Sequence, residues 1–287
     1  MNHISINDKK NIGIYANCQG EIIEYFLKTI FTECSFHYFE NFSMITNPKI
    51  GVNQYKKKLK KCDIFIYQPI NQKDYGCFNT IDEGIFKYLK KGVIKISFPY
   101  IYNNSLWDLK KIQTRDNQSA IWKLNGGIKT RNWEINNKEV IENIIEKNPG
   151  ISLNKLIEMY KTNKIDFKYK ERYEKSLNIL KEKEKDCDVK VSDYIEENIY
   201  KKRLFFTFNH PCNSVIIHCI NQILNLLGVK KALYEKDFPS IVVRAQKKGF
   251  YTFSQNDFLN NGILFDEDID LKSSIELIKE IYDSSKK

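Results

Sequence analysis

No apolar run in this sequence approaches the ~20 residues that a membrane-spanning helix needs, and the polar stretch 1–11 lacks the apolar centre of a secretory leader. Those two absences lead to the expectation of a cytoplasmic protein without stable membrane insertion. Glycine-rich nucleotide signatures are missing too. There is no Walker loop, and no G-x-G-x-x-G follows the first apolar segment, so nucleotide hydrolysis and dinucleotide redox chemistry have no scaffold. The seven cysteines are odd in number and scattered, which excludes the disulfide framework of a small secreted module. His210, Cys212, His218 and Cys219 are zinc-ligand types, but their spacing fits no standard finger or hydrolase site, and no metal is expected.

What is present describes a globular chain. Apolar residues make up 42% of the sequence and aromatics 13%, interleaved with charge, and 287 residues are enough for a full core. One main domain with an insertion is expected. Lys and Arg outnumber Asp and Glu by 46 to 36, a balance that suits a polyanion, an anionic membrane face or a nucleotide cofactor. Lysine recurs with Asn and Ile throughout the chain, however, which reads as a generic solvated surface. Charge alone therefore does not select a partner, and no nucleic acid is expected.

The first hundred residues alternate short apolar runs with helical stretches, the pattern of a parallel sheet with flanking helices in the flavodoxin or SGNH manner. Strands are expected at 11–16, 36–39, 63–67 and 93–97. Helices are expected at 21–31, in the lysine-rich stretch before the third strand, and near 81–90. From about 104 to 202 the periodicity turns helical and densely charged, read as a helical insertion or cap on an α/β core made of 1–103 and 203–287. Tyr173, Leu177 and Leu180 are too few for a sustained coiled coil. The sheet pattern returns at 203–208, followed by a helix over 212–227 with Pro211 in its first turn and a last helix near 271–282.

In an open parallel sheet, ligands bind beyond the carboxyl ends of the strands. Three such ends carry polar or turn residues: Asn17-Cys18-Gln19, Gln68-Pro69 and Ser97-Phe98-Pro99. Cys18 lies at a strand-to-helix turn, where the helix dipole favours thiolate and backbone N–H groups can face a developing oxyanion. That is an acyl-transfer arrangement; the competing reading is a small buried cysteine. His210 is expected at a loop junction, free to act as a base, whereas His218 lies in an apolar helix, His37 in a strand and His3 near the start of the chain.

Taken together, the segment 14–19 (IYANCQ), Tyr67-Gln68-Pro69-Ile70, Ser97-Phe98-Pro99-Tyr100 and Asn209-His210-Pro211 resemble the WcbI family of polysaccharide biosynthesis acetyltransferases across roughly residues 11–227. The resemblance implies a capsule or surface-polysaccharide setting, binding of coenzyme A or acetyl-CoA, and transfer to a sugar hydroxyl of a carbohydrate acceptor. It carries over Cys18 and Gln19 as active-site residues, with Gln68, Pro99 and His210 at matching motif positions. Within these motifs Cys18, His210, Gln19 and Gln68 are the expected catalytic set, the Gln19 or Gln68 amide holding the oxyanion. Asn17, Gly20, Pro99, Tyr100 and Asn209 are the expected cofactor contacts. Lys56 to Lys61 or Arg203 are candidates for the cofactor's phosphates.

More distantly, the layout resembles SGNH-type esterases, with Cys18 in place of the serine, Gln68 as donor and His210 as histidine. No Asp stands two or three residues before His210, so an orienting carboxylate would have to come from elsewhere. Two rivals follow: a carbohydrate esterase of the same fold, which has no use for coenzyme A, and a basic nucleic-acid or glycan-binding module, whose affinity would fall steeply with salt.

Overall fold

Isoleucines at every second position of the first apolar run put one face of a strand into a core, and the chain builds outward from that strand. The computed structural model describes residues 9–41, 44, 53–71, 78–81, 84–103, 105, 108–114, 132–238 and 271–286. In chain order the elements are β1 (Asn11–Ala16), α1 (Gln19–Lys28), β2 (Ser35–Glu40), α2 (Asn53–Leu59), β3 (Ile64–Tyr67), a 3₁₀ turn (Ile85–Tyr88) and β4 (Ile94–Ser97). There follow β5 (Lys110–Thr114), β6 (Asn132–Asn136), α3 (Lys138–Lys147), α4 (Leu153–Lys161), α5 (Tyr169–Glu184) and α6 (Ser192–Asn198). The chain ends with β7 (Phe205–Thr207), β8 (His210–Pro211), α7 (Asn213–Leu226), a short 3₁₀ turn (Glu235–Asp237) and α8 (Leu271–Ser285).

The main sheet has the order β2-β1-β3-β4, and every pairing in it is parallel. The fold is thus the expected α/β arrangement. From β1 the chain crosses to β2 on one side, and later strands are added on the other side. Connections therefore diverge at the β1/β3 pair, and the crevice at their carboxyl ends is the topological switch point.

Alternation divides the core between the two faces. Ile12, Ile14 and Ala16 join Ile22, Ile23, Phe26 and Leu27 of α1 and Val215, Ile216, Ile220 and Ile223 of α7. Tyr15 points the other way, into a cluster with Phe39, Phe65 and Ile85. Full burial of each such side chain stabilises by roughly 1.5–3 kcal/mol. Gly13 lies on this second face, where a Cβ would stand 2.7 Å from Cys62 Sγ and 2.9 Å from Phe65 Cδ2. Only glycine lets those groups close over the strand.

Several expectations need correction. The first helix begins at Gln19 rather than at residue 21, so Cys18 is its N-cap. Near 81–90 the described residues hold only the 3₁₀ turn Ile85–Tyr88. The 104–202 segment is not wholly helical, because β5 and β6 pair antiparallel within it. The strand expected at 203–208 shortens to β7, which pairs antiparallel with β8 and, among the described residues, joins no other strand. Its partner is only three residues on, across the Phe208–Asn209 turn, and closing so short a loop costs far less entropy than docking on a distant edge. Pro211 consequently belongs to β8, Cys212 is the N-cap, and α7 starts at Asn213.

Hydrophobic clusters do not divide at residues 104 and 202. Helix α5 presents Tyr169, Tyr173, Leu177 and Leu180 to the main core, joined by Val189, Val191, Ile195 and Ile199. Conversely Ile278 and Ile281 of α8 bury with Ile141, Ile145, Leu156 and Tyr160 of α3 and α4. The apolar stripe of α5 thus faces the sheet and not a coiled-coil partner.

Candidate active site at the carboxyl end of the sheet

Strand β1 ends at Ala16, and the next three residues make a tight polar turn. Asn17 Oδ1 accepts from Gln19 N–H at 3.0 Å, an Asx turn that opens α1. The Asn17 carbonyl accepts from Gly20 N–H at 2.8 Å and from the Tyr38 hydroxyl at 2.7 Å. Cys18, half-buried at the head of the helix, places its Sγ 3.4 Å from His210 Nε2 across 192 residues of sequence. The thiol and the imidazole that the sequence singled out are therefore in contact, at the β1/β3 switch point.

The two glutamines lie beneath them. Gln19 is 0% exposed and Gln68 3%, and such buried amides must find partners inside the protein. Gln68 Oε1 accepts from Asn17 N–H at 2.9 Å, and Gln68 Nε2 donates to Gln19 Oε1 at 2.8 Å and to the Pro99 carbonyl at 3.5 Å. Gln19 Nε2 donates to the carbonyls of Ile101 at 2.6 Å and Asn209 at 2.8 Å, while its Oε1 also accepts from Ile101 N–H at 3.2 Å. Each amide has two N–H donors, and all four are spent. In this arrangement the two amides tie four chain segments together.

The remaining expected residues separate into groups. Pro99 is buried, and Asn209 meets the network through its carbonyl. Tyr100 stands at the rim, with Lys183 Nζ 5.3 Å from its ring centre and Tyr102 5.8 Å away. Gly20 is buried, and a Cβ there would come within 2.7 Å of Tyr38 and 2.8 Å of Ala16. The missing Cβ lets α1 pack closely on the strands. Asn17 is half-buried. Its Nδ2, turned away from the Asx bond, has no acceptor among the described residues, so it is the side-chain amide at this turn with donors to spare. Lys56 to Lys61 lie before β3, at the amino edge of the sheet, opposite Cys18. Arg203 donates from Nε to the Phe205 carbonyl at 3.1 Å.

Sequence reasoning missed Tyr38, Tyr102, Phe208 and Lys183. Tyr38 sits near the carboxyl end of β2, a position the strand-end rule could have reached. Tyr102 packs on Phe208 at 5.3 Å, and Asn103 N–H donates to the Phe208 carbonyl at 2.8 Å; these links hold the His210 hairpin against the loop after β4. Lys183 reaches the rim from α5, and nothing local in its lysine-rich helix distinguishes it. Among the described residues, no group of three or more His, Cys, Asp or Glu side chains is assembled as a metal site.

Burial separates the thiols. It pushes Cys62 up to about 12 and Cys187 up to about 12, and raises Cys219 as well; Cys212 is also buried, while Cys77 lies outside the described residues. Limited alkylation near neutral pH, read by peptide mapping, is expected to modify Cys18 ahead of those four buried thiols. Labelling of Cys187 before Cys18 would show that Cys18 is packing material.

The sequence profile described as the polysaccharide biosynthesis enzyme WcbI matches residues 11–119 and 149–232. No curated protein is matched by the chain. A solved structure, described as native WcbI, a novel polysaccharide biosynthesis enzyme, without a disulfide bond between coenzyme A and one of its cysteines, superposes with a TM-score of 0.67. The match is 14% identical and covers 96% of this chain and 91% of that one, so it speaks for the fold. The profile spans both halves of the site, from the Cys18 turn through the His210 hairpin, and the chain belongs to the WcbI family of polysaccharide biosynthesis enzymes.

Proposed function

We propose that this protein is an acetyltransferase of the cytoplasm, moving an acetyl group from coenzyme A to a hydroxyl of a capsule or surface-polysaccharide sugar. The observation that carries the reading is the 3.4 Å approach of Cys18 Sγ to His210 Nε2 at the head of α1, where the helix dipole favours developing negative charge. The similar solved structure is described by the absence of a disulfide bond between coenzyme A and one of its cysteines, and that mention of coenzyme A is the reason for choosing this donor.

Coenzyme A supplies an activated thioester, and the chain's own residues hold and move the proton. His210 accepts it from the attacking group, either the Cys18 thiol or the sugar hydroxyl, and returns it to the departing thiolate. If Cys18 attacks, the acetyl group rests on sulfur as a thioester nearly isoenergetic with the donor; the sugar hydroxyl then displaces Cys18, again passing its proton to His210. Products are free coenzyme A and an acetate ester. Asn17 Nδ2, held by its Asx bond, is the donor assigned to the carbonyl oxygen during transfer. Tyr100 and Lys183 at the rim supply a ring face and a cation suited to the donor's adenine and phosphates.

Titration with coenzyme A and acetyl-CoA should raise the melting temperature progressively, the stabilisation reaching about 2.7 kcal/mol at a hundredfold excess over Kd. No shift at millimolar ligand, with hydrolysis of acetylated sugars in its absence, would transfer the protein to the esterases.

A further inference from the structure

The His210 hairpin lies outside the parallel sheet: β7 and β8 pair only with each other among the described residues. No ladder hydrogen bond therefore sets the distance between His210 and the Cys18 turn. A buried chain of side-chain amides spans that gap. Asn17 N–H donates to Gln68 Oε1, Gln68 Nε2 to Gln19 Oε1, and Gln19 Nε2 to the Asn209 carbonyl. Its two ends are the residues immediately before Cys18 and immediately before His210.

All three bonds run in one direction, 2.9, 2.8 and 2.8 Å long, so each polarises the next. Every link must accept at one end and donate at the other, which an amide does and a carboxylate or thioether does not. With exposures of 0% and 3%, bulk water does not reach these links, and a lost partner leaves a buried polar group unpaired.

We infer that the Gln68–Gln19 relay is the positioning device of this site: it fixes His210 against Cys18, and Gln19 and Gln68 act through that pair without touching the reacting atoms. The inference rests on the acetyltransferase reading only for what the pair does, not for its existence.

The test reads the pair without coenzyme A. The alkylation rate of Cys18, followed by peptide mapping from pH 5 to 9, should show an inflection that His210→Gln removes. Gln19→Met keeps the length of the side chain and cannot form the relay; it is expected to remove the same inflection and slow labelling at pH 7 by about tenfold. The double variant Gln19→Met/His210→Gln should match His210→Gln alone, because two residues acting through one contact are not additive. Gln68→Met, which breaks two links from the other strand end, is the second variant, and melting temperatures report folding in each case. A wild-type pH profile in folded Gln19→Met or Gln68→Met, or full additivity in the double variant, would overturn the inference. If the wild type transfers no acetyl group yet the variants lose the inflection, the functional reading fails and the positioning role stands.

Discussion

Replacing His210 with Gln is expected to lower acetyl transfer by about 10²- to 10⁴-fold while coenzyme A affinity stays within about threefold. The substitution keeps a polar side chain of similar reach on β8 and leaves the backbone links of the hairpin in place. What it removes is the ring nitrogen 3.4 Å from Cys18 Sγ, the one group at this contact that can take a proton near neutral pH and return it. The assay is release of free thiol from acetyl-CoA with a sugar acceptor, or its slow hydrolysis without one. His218 is the control. It stacks on Tyr194 with ring centres 4.4 Å apart, inside the helix that covers the sheet, and burial lowers its pKa. A histidine with a depressed folded pKa stabilises fully above its unfolded value of about 6.5 and loses that contribution as pH falls below it. His218→Ala should therefore lower the melting temperature, flatten its dependence on pH below about 6.5, and leave turnover per folded molecule unchanged. Full turnover in His210→Gln together with loss of turnover in stable His218→Ala would remove His210 from the mechanism.

Glu184→Ala is expected to cost about 3–5 kcal/mol of folding stability, roughly a 10 °C fall in melting temperature for a chain of this size. Glu184 continues the inward stripe of α5 and is 4% exposed. Its carboxylate accepts from Val191 N–H at 2.9 Å, from Ser192 N–H at 3.2 Å and from the Ser192 hydroxyl. One charge thus satisfies the opening donors of α6, a favourable partner for a helix N-terminus. Alanine would leave those donors buried and unpaired, and each unsatisfied group costs about 1–3 kcal/mol. Glu182 is the matched control on the exposed face, paired with Lys185 at 2.7 Å with both side chains more than 60% exposed. Glu182→Ala should stay within about 0.5 kcal/mol. The measurement is urea unfolding of both variants, and equal midpoints would show that Glu184 is dispensable.

Local patterns made much of this legible. Alternation in the segment 11–16 and short apolar runs in the next three strands reflect a pleat of period two, so the places of these strands along the chain follow from local pattern. Lysine-rich stretches hid more than they showed: Lys183 lies over the Tyr100 ring, while Lys181 and Lys185 of the same stretch pair with Glu196 and Glu182, and nothing in the local sequence separates them. The hairpin at 205–211 was misread because an apolar run specifies a strand but not its partner. At Gln19 and Gln68 the residue types are legible in the sequence, but their hydrogen-bond partners are not. An exposed amide donates to a ligand and a buried one to its neighbours, and burial is not a local property.

By itself the sequence determined that a parallel α/β sheet would form, that Cys18 would stand at the turn between its first strand and the following helix, and that His210 would stand just before a late helix. Those outcomes depend on periodicity, turn chemistry and residue type over a few neighbouring positions. Tertiary structure alone decided that Cys18 and His210 meet, that the two glutamines are consumed in holding them, and that α5 and α8 pack across the boundaries of the charged segment. Each depends on which distant surfaces bury against one another, a choice made by the whole core, because the energy of a buried amide or an apolar face is set by partners more than a hundred residues away.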